Sequence, residues 1–394
     1  MTLNWFVATQ SGGSIQKVAT QCTKASNGRY SIEVQLLPTD ASQQREQLVR
    51  RLAAKDSTVD LIGMDVIWTA EFANAGWIAP FPKPQADEVT KDVFPSVVKT
   101  ASFEGKVYGA PFNSNTQHLW YRKDLVKSAP KTWDQMIDEA DKLASDGKPH
   151  YIQVQANKYE GFTVWANALI APAGGTILSG PTTVSLPEGP TEDAMKVMGT
   201  LAASPAAAPN ISTSDEDTAR LGFEDGSSAF MVNYTFAYAS AQENAPDVAK
   251  DMGFARYPRA LPDQPSAPPL GGFNIGVGAY SDNQDLAFDA ASCIGSDKSE
   301  LTATELDGLP PSRADLYTNS RVRRLRDRST QLPGQEHHPG RRAGHRDVPG
   351  DLHHRPAVRH VALDRPLRHV PWADHPVPDV LASARDLHAR SLLP

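Results

Sequence analysis

Strand and helix patterns alternate through the first 75 residues, and this alternation is the feature that most limits the fold. Short apolar runs predict strands at residues 3–8, 30–37 and 59–64. Amphipathic stretches at residues 13–26 and 41–55 predict a helix between each pair of strands. Strands separated by helices imply βαβ units, and therefore a parallel sheet that is covered by helices.

The carboxyl ends of these three strands meet at one edge of the predicted sheet, where α/β proteins bind their ligands. Gln10-Ser11-Gly12, Thr39-Asp40 and Asp65 follow the three strands in turn. We therefore expect them to share a rim, with Asp65 accepting hydrogen bonds from a ligand. The alternative role for Asp65 is to cap the helix predicted at residues 69–75.

Size and composition are those of a globular protein with two domains. The chain has 394 residues, of which 40% are hydrophobic and 22% charged. No stretch approaches the roughly 18 uncharged apolar residues of a membrane span. Met1-Thr2-Leu3-Asn4 runs directly into an apolar strand, so we expect no secretory signal within this chain.

Motifs of catalysis and of metal binding are missing from the sequence. It contains no GxSxG elbow, P-loop, GxGxxG fingerprint or HExxH helix. A glycoside hydrolase would need two carboxylates with divided acid and base roles, which no pattern here suggests. The two cysteines, Cys22 and Cys293, have no metal-ligand spacing, and both a pair of buried thiols and a long-range disulfide remain open. We therefore expect no enzyme, no metal and no cofactor.

Charge and composition change abruptly near residue 320. Residues 1–319 hold 25 basic and 38 acidic residues, a net charge of −13, whereas residues 320–394 hold 14 arginines and 8 acidic residues, a net charge of +6. This tail lacks Lys, Ile, Phe, Met, Asn, Tyr and Cys, and it contains nine of the 11 histidines. A metal-binding segment and a basic nucleic-acid arm are two interpretations. The composition favours a third, translation of GC-rich DNA in a shifted frame, and predicts a largely disordered tail.

A second α/β unit is predicted after the first. A strand at residues 106–112 ends in a polar stretch, and Thr132 is the predicted N-cap of a helix at residues 133–144. A Pro-rich link at residues 261–269 leads to a last strand that rejoins the first domain. The predicted organisation is lobe one at residues 1–111 plus 270–308, lobe two at 112–262, the start of a second-lobe C-terminal segment at 309–319, and the tail at 320–394.

Three segments resemble the extracellular solute-binding proteins that serve ABC sugar importers. They are Tyr108-Gly109-Ala110-Pro111, Trp120-Tyr121-Arg122-Lys123-Asp124-Leu125 and Pro130-Lys131-Thr132-Trp133-Asp134. The resemblance covers about residues 3–319. Within the family the sequence is most similar to the actinobacterial trehalose-binding lipoproteins of the LpqY type, through segments 65–72, 115–117, 154–157 and 309–313.

The resemblance implies an α/β, two-lobed periplasmic-binding-protein-like fold with hinge crossovers and a ligand cleft between the lobes. It implies an extracytoplasmic, envelope-associated monomer that binds a disaccharide such as trehalose and works with the membrane subunits of an ABC importer, without nucleic acid. The alternatives are a binder of another oligosaccharide or amino sugar, and a frameshifted product with impaired or no binding.

A neutral sugar needs carboxylates and amides for its hydroxyls and an aromatic platform for its apolar face. The resemblance implies such roles for residues that also have plainer explanations. Asn115 suits a turn, Trp165 suits a core, and Glu216 lies in a short acidic run. The predicted ligand-binding residues are Asp65, Asn115, Glu160, Trp165, Glu216, Asn233, Tyr234, Gly271, Gly272 and Arg313.

Overall fold

Two larger β-sheets and a short β-ribbon organise the structure, a computed structural model that describes residues 1–180 and 183–323. The predicted disorder of the tail therefore lies, from residue 324 onward, outside the described residues. The strands within the described ranges are β1 (Thr2–Ala8), β2 (Ser31–Leu37), β3 (Leu61–Asp65), β4 (Ser102–Phe103), β5 (Lys106–Val107), β6 (Gly109–Pro111), β7 (His118–Arg122), β8 (Tyr151–Gln153), β9 (Ser228–Asn233), β10 (Met252–Ala255) and β11 (Phe273–Val277).

Several helices have an N-cap residue whose polar side chain accepts a hydrogen bond from a backbone amide of the first turn. The Thr132 hydroxyl accepts from the Gln135 amide at 3.2 Å, so the predicted cap is confirmed. None of the helices in the described part of the chain is long and apolar enough to cross a bilayer. They are α1 (Ser14–Ala25), α2 (Ala41–Ala53), α3 (Thr69–Asn74), α4 (Lys83–Val89), α5 (Pro95–Thr100), α6 (Trp133–Ser145), α7 (Glu160–Ile170), α8 (Glu188–Ala203), α9 (Glu216–Glu224), α10 (Phe236–Asn244), α11 (Pro246–Ala249), α12 (Gln284–Ile294) and α13 (Asp297–Asp307).

The first sheet has five strands in the order β2-β1-β3-β11-β6. Strand β1 pairs in parallel with β2 and β3, as the alternation of strands and helices predicts. Strand β11 comes from much later in the chain and pairs antiparallel with β3 and β6. Adjacent residues of β1, Trp5 and Phe6, are both buried, in two different apolar clusters. Both faces of the sheet are therefore covered, which explains the nearly continuous apolar runs of its strands.

The second sheet has four strands in the order β10-β7-β9-β8. Strand β9, one of its two central strands, is buried at every residue. The core on this sheet contains Trp133 and Trp165, whose ring centroids lie 5.5 Å apart, together with Phe230 and Leu169. The chain passes from the first sheet to the second between β6 and β7, and it returns between β10 and β11. These crossovers give the two-lobed periplasmic-binding-protein fold that the resemblance implies.

The segment after α13, which the sequence assigns to the start of a second-lobe segment, makes backbone contacts with the segment between α4 and α5. The Arg313 backbone pairs with that of Val93, and the Phe94 amide donates to the Ser312 carbonyl at 3.1 Å. Farther along, Leu316 and Val322 form a small apolar cluster with Leu301 of α13. Residues 312–314 thus lie beside the segment between α4 and α5, because pairing with it satisfies their backbone groups.

A disulfide joins Cys22 of α1 to Cys293 of α12, with 5.8 Å between the two Cα atoms. The sequence was equally consistent with two buried thiols and with a disulfide, and the structure contains the disulfide. Cys22 is fully buried in the core of the first sheet, so the bond links two helices on that core. The two cysteines are separated by 271 positions in the sequence, so the cross-link closes a long loop.

Replacing both Cys22 and Cys293 by Ser is expected to lower the free energy of unfolding by about 2–4 kcal/mol, because the cross-link restricts the unfolded chain. Urea unfolding of the variant and of the oxidised parent measures the difference. Adding a reductant should lower the stability of the parent and leave that of the double variant unchanged. Equal sensitivity of both proteins to the reductant would contradict a disulfide.

Candidate functional site: a cleft between the two sheets

The carboxyl ends of β1, β2 and β3 open onto a cleft of about 290 Å³. Of the predicted rim, Gln10 and Ser11 after β1, Thr39 after β2 and Asp65 at the end of β3 all line it. The opposite side belongs to the second sheet and its helices. Seven residues predicted for the site line this one cleft, namely Asp65, Asn115, Glu160, Glu216, Tyr234, Gly271 and Gly272.

Asp65 is the last residue of β3 and turns its carboxyl toward the start of the next helix. One carboxyl oxygen, Oδ1, accepts from the Ile67 amide at 3.1 Å. No side chain caps helix α3, so Asp65 does not act as its N-cap. The Asp65 carboxyl stabilises only the turn that precedes the helix. Burial raises the pKa of Asp65 to about 6, and the Ile67 hydrogen bond opposes that rise.

Glu160 begins α7 on the other side of the cleft. Its amide donates to the Ser42 hydroxyl of α2 at 3.2 Å, so the two lobes touch at this point. Burial raises the pKa of Glu160 to about 8, with further contributions from Asp65, Glu216 and Asp40. All of these neighbours are acidic residues, and like charges disfavour ionisation.

Glu216 begins α9, a helix that is capped by the preceding residue. The carboxylate of Glu216 accepts from the Tyr159 hydroxyl at 2.7 Å. Burial raises the pKa of Glu216 to about 7, although the Tyr159 hydrogen bond lowers it. The Asp215 side chain accepts from the Thr218 amide at 2.8 Å, which fixes the first turn of α9 and hence the position of Glu216.

Tyr234 follows β9 and supplies an aromatic ring to the cleft. Burial raises its pKa well above the usual value, and the charges of Glu216, Glu160 and Asp65 add to that effect. The carboxyls of Glu216, Glu160 and Asp65 thus act on the Tyr234 phenol, and all four residues line the same cleft. A buried phenol with an apolar ring and a polar hydroxyl can both stack on a ligand and hydrogen-bond to it.

The crossovers meet in the cleft through backbone pairing. The Gly271 amide donates to the Asn115 carbonyl at 2.7 Å, and the Asn115 amide donates to the Gly271 carbonyl at 2.9 Å. Gly272 has a φ of 132°, and a Cβ at this residue would lie 2.4 Å from the Asn113 carbonyl oxygen. Only glycine fits there, because a side chain would push the two crossovers apart.

The raised pKa values predict that the sugar-free protein loses stability as the pH rises. Between about pH 4.5 and pH 8 the carboxyls of Asp65, Glu160 and Glu216 hold protons in the folded protein that the unfolded chain releases. Stability therefore falls through this window. Urea midpoints at pH 5 and pH 8 measure the fall, and Glu160→Gln should reduce it. An identical pH dependence in parent and variant would contradict the assignment.

Trp165 is predicted as a platform for the ligand, but it lies in the core of the second sheet. It is 3% exposed and packs against Trp133 and Phe162. Its position on α7 explains the difference. Residues at 160 and 165 are five apart, so they project from different faces of a helix with 3.6 residues per turn.

Asn233 does not line the cleft either, but its side chain forms hydrogen bonds with the backbone of two residues that do. Its side-chain Nδ2 donates to the Glu216 carbonyl at 2.9 Å, and its Oδ1 accepts from the Tyr234 amide at 2.8 Å. Asn233 is fully buried. It is therefore a positioning residue, because its side chain joins the end of β9 to the start of α9.

Arg313 is predicted to bridge sugar hydroxyls, and the structure places it away from the cleft. Its Nε lies 3.2 Å from Asp297 and 3.3 Å from Glu300, and its guanidinium also donates to the Gly295 carbonyl at 3.0 Å. A further hydrogen bond reaches the Lys91 carbonyl. The two terminal nitrogens of the guanidinium thus join the segment after α13 to the first lobe, while the buried Nε has charged neighbours but no hydrogen-bond acceptor among the described residues.

Several residues of the cleft escape prediction from the sequence. Asp217 and Arg220 line the cleft from α9, and Tyr159, which is not part of the lining, hydrogen-bonds to Glu216. Arg220 is four residues after Glu216, so helical spacing on α9 is the signal that would have found it. Arg220 forms ion pairs with Asp217 at 3.2 Å and with Glu224 at 2.8 Å.

A second cavity, of about 420 Å³, shares only Asn115 with the cleft. Its walls include the aromatic rings of Trp120, Tyr238, Phe254 and Tyr317. The polar cleft suits hydroxyl groups better than this cavity does, since it presents carboxyls from both sides. Among residues 1–180 and 183–323, no group of three or more His, Cys, Asp or Glu side chains is arranged to hold a metal ion.

Comparison with known proteins identifies the family. Residues 17–325 match the model of the family described as bacterial extracellular solute-binding protein. The chain belongs to this family. The solute-binding protein is 28% identical over 306 residues to the "Probable ABC transporter-binding protein" of Deinococcus radiodurans, a match that covers 74% of this chain and 71% of the relative. It is 26% identical over 289 residues to the diacetylchitobiose binding protein DasA of Streptomyces coelicolor, covering 70% of this chain and 65% of DasA.

Solved structures of two-lobed binding proteins share the fold. Maltose-bound MalE3 of T. maritima has a TM-score of 0.76 and 22% identity, over 82% of this chain and 84% of that one. The GacH receptor of Streptomyces glaucescens, solved unliganded and with acarbose, has a TM-score of 0.72 and 23% identity, over 82% of each chain. At such identities the likeness shows the fold, and the fold prediction is confirmed.

Proposed function

We propose that this solute-binding protein binds a short carbohydrate, a disaccharide such as trehalose, in the cleft between its lobes and presents it to the membrane subunits of an ABC importer. The observation that carries the proposal is the convergence of both lobes on one polar cleft. Asp65 comes from the first lobe, Glu160 and Glu216 come from the second, and the Tyr234 ring lines the same cleft.

The chemistry of this cleft matches a sugar. Carboxylates accept hydrogen bonds from hydroxyl pairs, and an aromatic ring covers the apolar face of a pyranose. Gly271 and Gly272 bring bare backbone to the wall of the cleft. The volume of about 290 Å³ lies just below the roughly 300–1,000 Å³ typical of ligand sites, which favours a short ligand.

The relatives support the class of ligand. DasA is named for diacetylchitobiose, MalE3 is solved with maltose, and GacH is solved with acarbose. By extension from its family, the protein acts outside the cytoplasm, and we propose that it is a monomer without cofactor. Hinge closure around the sugar, with Ser42 and Glu160 meeting across the cleft, gives the transporter a form to recognise.

Calorimetric titration with trehalose, maltose and glucose at pH 7 tests the proposal. We expect heat of binding with at least one disaccharide, and we expect the same sugar to be recovered unchanged, since binding and not hydrolysis is proposed. Thermal unfolding of the same sample shows that the protein is folded. Absence of heat with every sugar, from folded protein, would refute the function.

We also propose that the tail arises from a shifted reading frame. The family match ends at residue 325, close to the change in composition near residue 320. Sequencing of the coding DNA around the codon for Asn319 should reveal a one- or two-base shift, with another frame encoding a family-like sequence. An intact frame in related strains would exclude it.

A further inference from the structure

Helix α1 begins without a cap of its own. Its N-cap residue is Gly13, which has no side chain to accept a hydrogen bond, and its first turn contains no acidic residue. The first amides of a helix have no partner within the helix, and a buried amide needs one. Ser14 is buried, so the start of α1 depends on an acceptor from elsewhere in the chain.

Asp307, the last residue of α13, supplies that acceptor. Its Oδ2 accepts from the Ser14 amide at 2.9 Å, across a sequence separation of 293 residues, and its Oδ1 accepts from the Gly12 amide. Asp307 is 1% exposed, and it has no ion pair within the described ranges. The carboxyl is therefore held by charge-assisted hydrogen bonds to two backbone amides of the loop between β1 and α1.

This loop packs closely against the end of α13. A Cβ on Gly12 would lie 2.7 Å from Oδ1 of Asp307, and it would also collide with the Leu306 carbonyl oxygen. Glycine is needed there because any side chain would push the loop away from the carboxyl. The carboxyl and the glycine together fix the distance between the loop and α13.

The loop that Asp307 holds also carries two residues of the cleft lining. Gln10 and Ser11 lie directly before Gly12, and both line the cleft. Neither side chain forms a hydrogen bond within residues 1–180 and 183–323, so both are available to a ligand. The Gly13 amide donates to the Gln10 carbonyl at 3.2 Å, which closes the loop into a turn. The turn and Asp307 therefore set where the two side chains lie.

The end of α13 also reaches the second lobe. A Cβ on Gly308 would lie 3.2 Å from the carbonyl oxygen of Thr235, the residue that precedes α10. Leu309 follows and lines the cleft. A cap from within the loop would fix only the turn itself. A cap from Asp307 also fixes the turn relative to the adjoining wall of the cleft.

We propose that Asp307 is a positioning residue of the sugar cleft, an inference that rests on the proposed sugar-binding function. Its carboxyl holds the loop after β1 in the position where Gln10 and Ser11 hydrogen-bond to the sugar. Asp307 does not itself line the cleft, so it acts only through those two side chains. A cap that served the stability of α1 alone would leave the affinity of the folded protein unchanged.

Asp307→Asn tests the inference by titration calorimetry with the disaccharide that the parent binds. Asparagine keeps the shape of the side chain, but its nitrogen cannot accept from a backbone amide, so one of the two hydrogen bonds is lost. We expect the affinity to fall about tenfold, the effect of roughly one hydrogen bond to the sugar. Amide hydrogen exchange of the sugar-free variant should be faster at residues 12–14 than in the parent.

Glu300→Gln is the matched control. Glu300 also lies on α13, is 1% exposed and accepts from a backbone amide, that of Ser312, but it does not line the cleft. The substitution should lower stability, because Arg313 loses a buried partner 3.3 Å away. It should leave the affinity for sugar and the exchange at residues 12–14 as in the parent.

A second background shows whether Asp307 acts through the loop. Asp307→Asn is combined with Gln10→Ala and Ser11→Ala, and its effect is measured against the variant that carries those two changes alone. Because substitutions that act on the same contacts are not additive, we expect Asp307→Asn to change the affinity less than about twofold in this background. A role of Asp307 in global stability predicts the same fold-change in both backgrounds.

The outcomes separate the inference from the function beneath it. Unchanged affinity of folded Asp307→Asn, an equal loss of affinity in Glu300→Gln, or an undiminished loss in the second background overturns the positioning role and leaves sugar binding intact. Failure of the folded parent to bind any sugar overturns the proposed function, and the inference with it. A loss of affinity that disappears in the second background supports both.

Discussion

Replacing Asp65 by Asn is expected to weaken sugar binding by about 10- to 100-fold, because a hydrogen bond to a charged group contributes about 1.5–3 kcal/mol. Asparagine keeps an oxygen that can accept from the Ile67 amide, so the turn after β3 should survive. Glu216→Gln, on the other lobe, should have an effect of similar size. Calorimetric titration with the disaccharide that the parent binds measures both changes.

The double variant distinguishes one shared ligand from two separate sites. If a single sugar is held by Asp65 and Glu216 together, the effects of the two substitutions on the binding free energy should not add. Asp263→Asn, in the exposed link before β11, is the matched control and should bind as the parent does. Full binding by the double variant would show that the sugar lies elsewhere.

Replacing Arg313 by Ala is expected to lower the free energy of unfolding by about 3–5 kcal/mol, since removing one partner of a buried ion pair leaves the other charge uncompensated. Glu300 is 1% exposed and would lose the guanidinium 3.3 Å from its carboxyl. Burial already raises the pKa of Glu300 to about 7, despite the hydrogen bonds from Ser312 and the charge of Arg313. The loss of stability should therefore be greater at pH 8 than at pH 5, where Glu300 is protonated.

Urea unfolding at the two pH values measures this effect, and the affinity of the folded variant for sugar supplies the decisive second readout. A structural role predicts lower stability with nearly unchanged affinity. A role in binding, which the family resemblance implies for Arg313, predicts weaker sugar binding with nearly unchanged stability. Arg256→Ala removes an exposed arginine near the end of β10 and should change neither quantity.

The sequence predicts much of the fold because the signals are local. Apolar runs and helical periodicity place β1 to β3 and the helices between them, and Thr132 marks the start of α6. The ends of parallel strands meet at one edge, so Asp65 is found in the cleft without knowledge of any distant contact. Glu160 and Glu216 each begin a helix whose N-terminus faces the same cleft.

Other features depend on contacts between distant parts of the chain, which no local pattern contains. Whether Trp165 faces ligand or core depends on how α7 packs against Trp133. The pairing of Cys22 with Cys293 depends on α1 meeting α12. The sequence predicts that Asn233 contacts the ligand, but its side-chain amide instead joins the end of β9 to the start of α9.

The amino-acid sequence by itself was enough to predict the α/β alternation, the family and many of the polar residues that line the cleft. Only the tertiary structure decided that Arg313 lies beside Glu300 and away from the cleft, and that Arg220 is paired within its own helix. The physical reason is that charge and burial are properties of a residue's surroundings. That Asp65, Glu160 and Glu216 line one cleft becomes apparent only when both lobes are brought together.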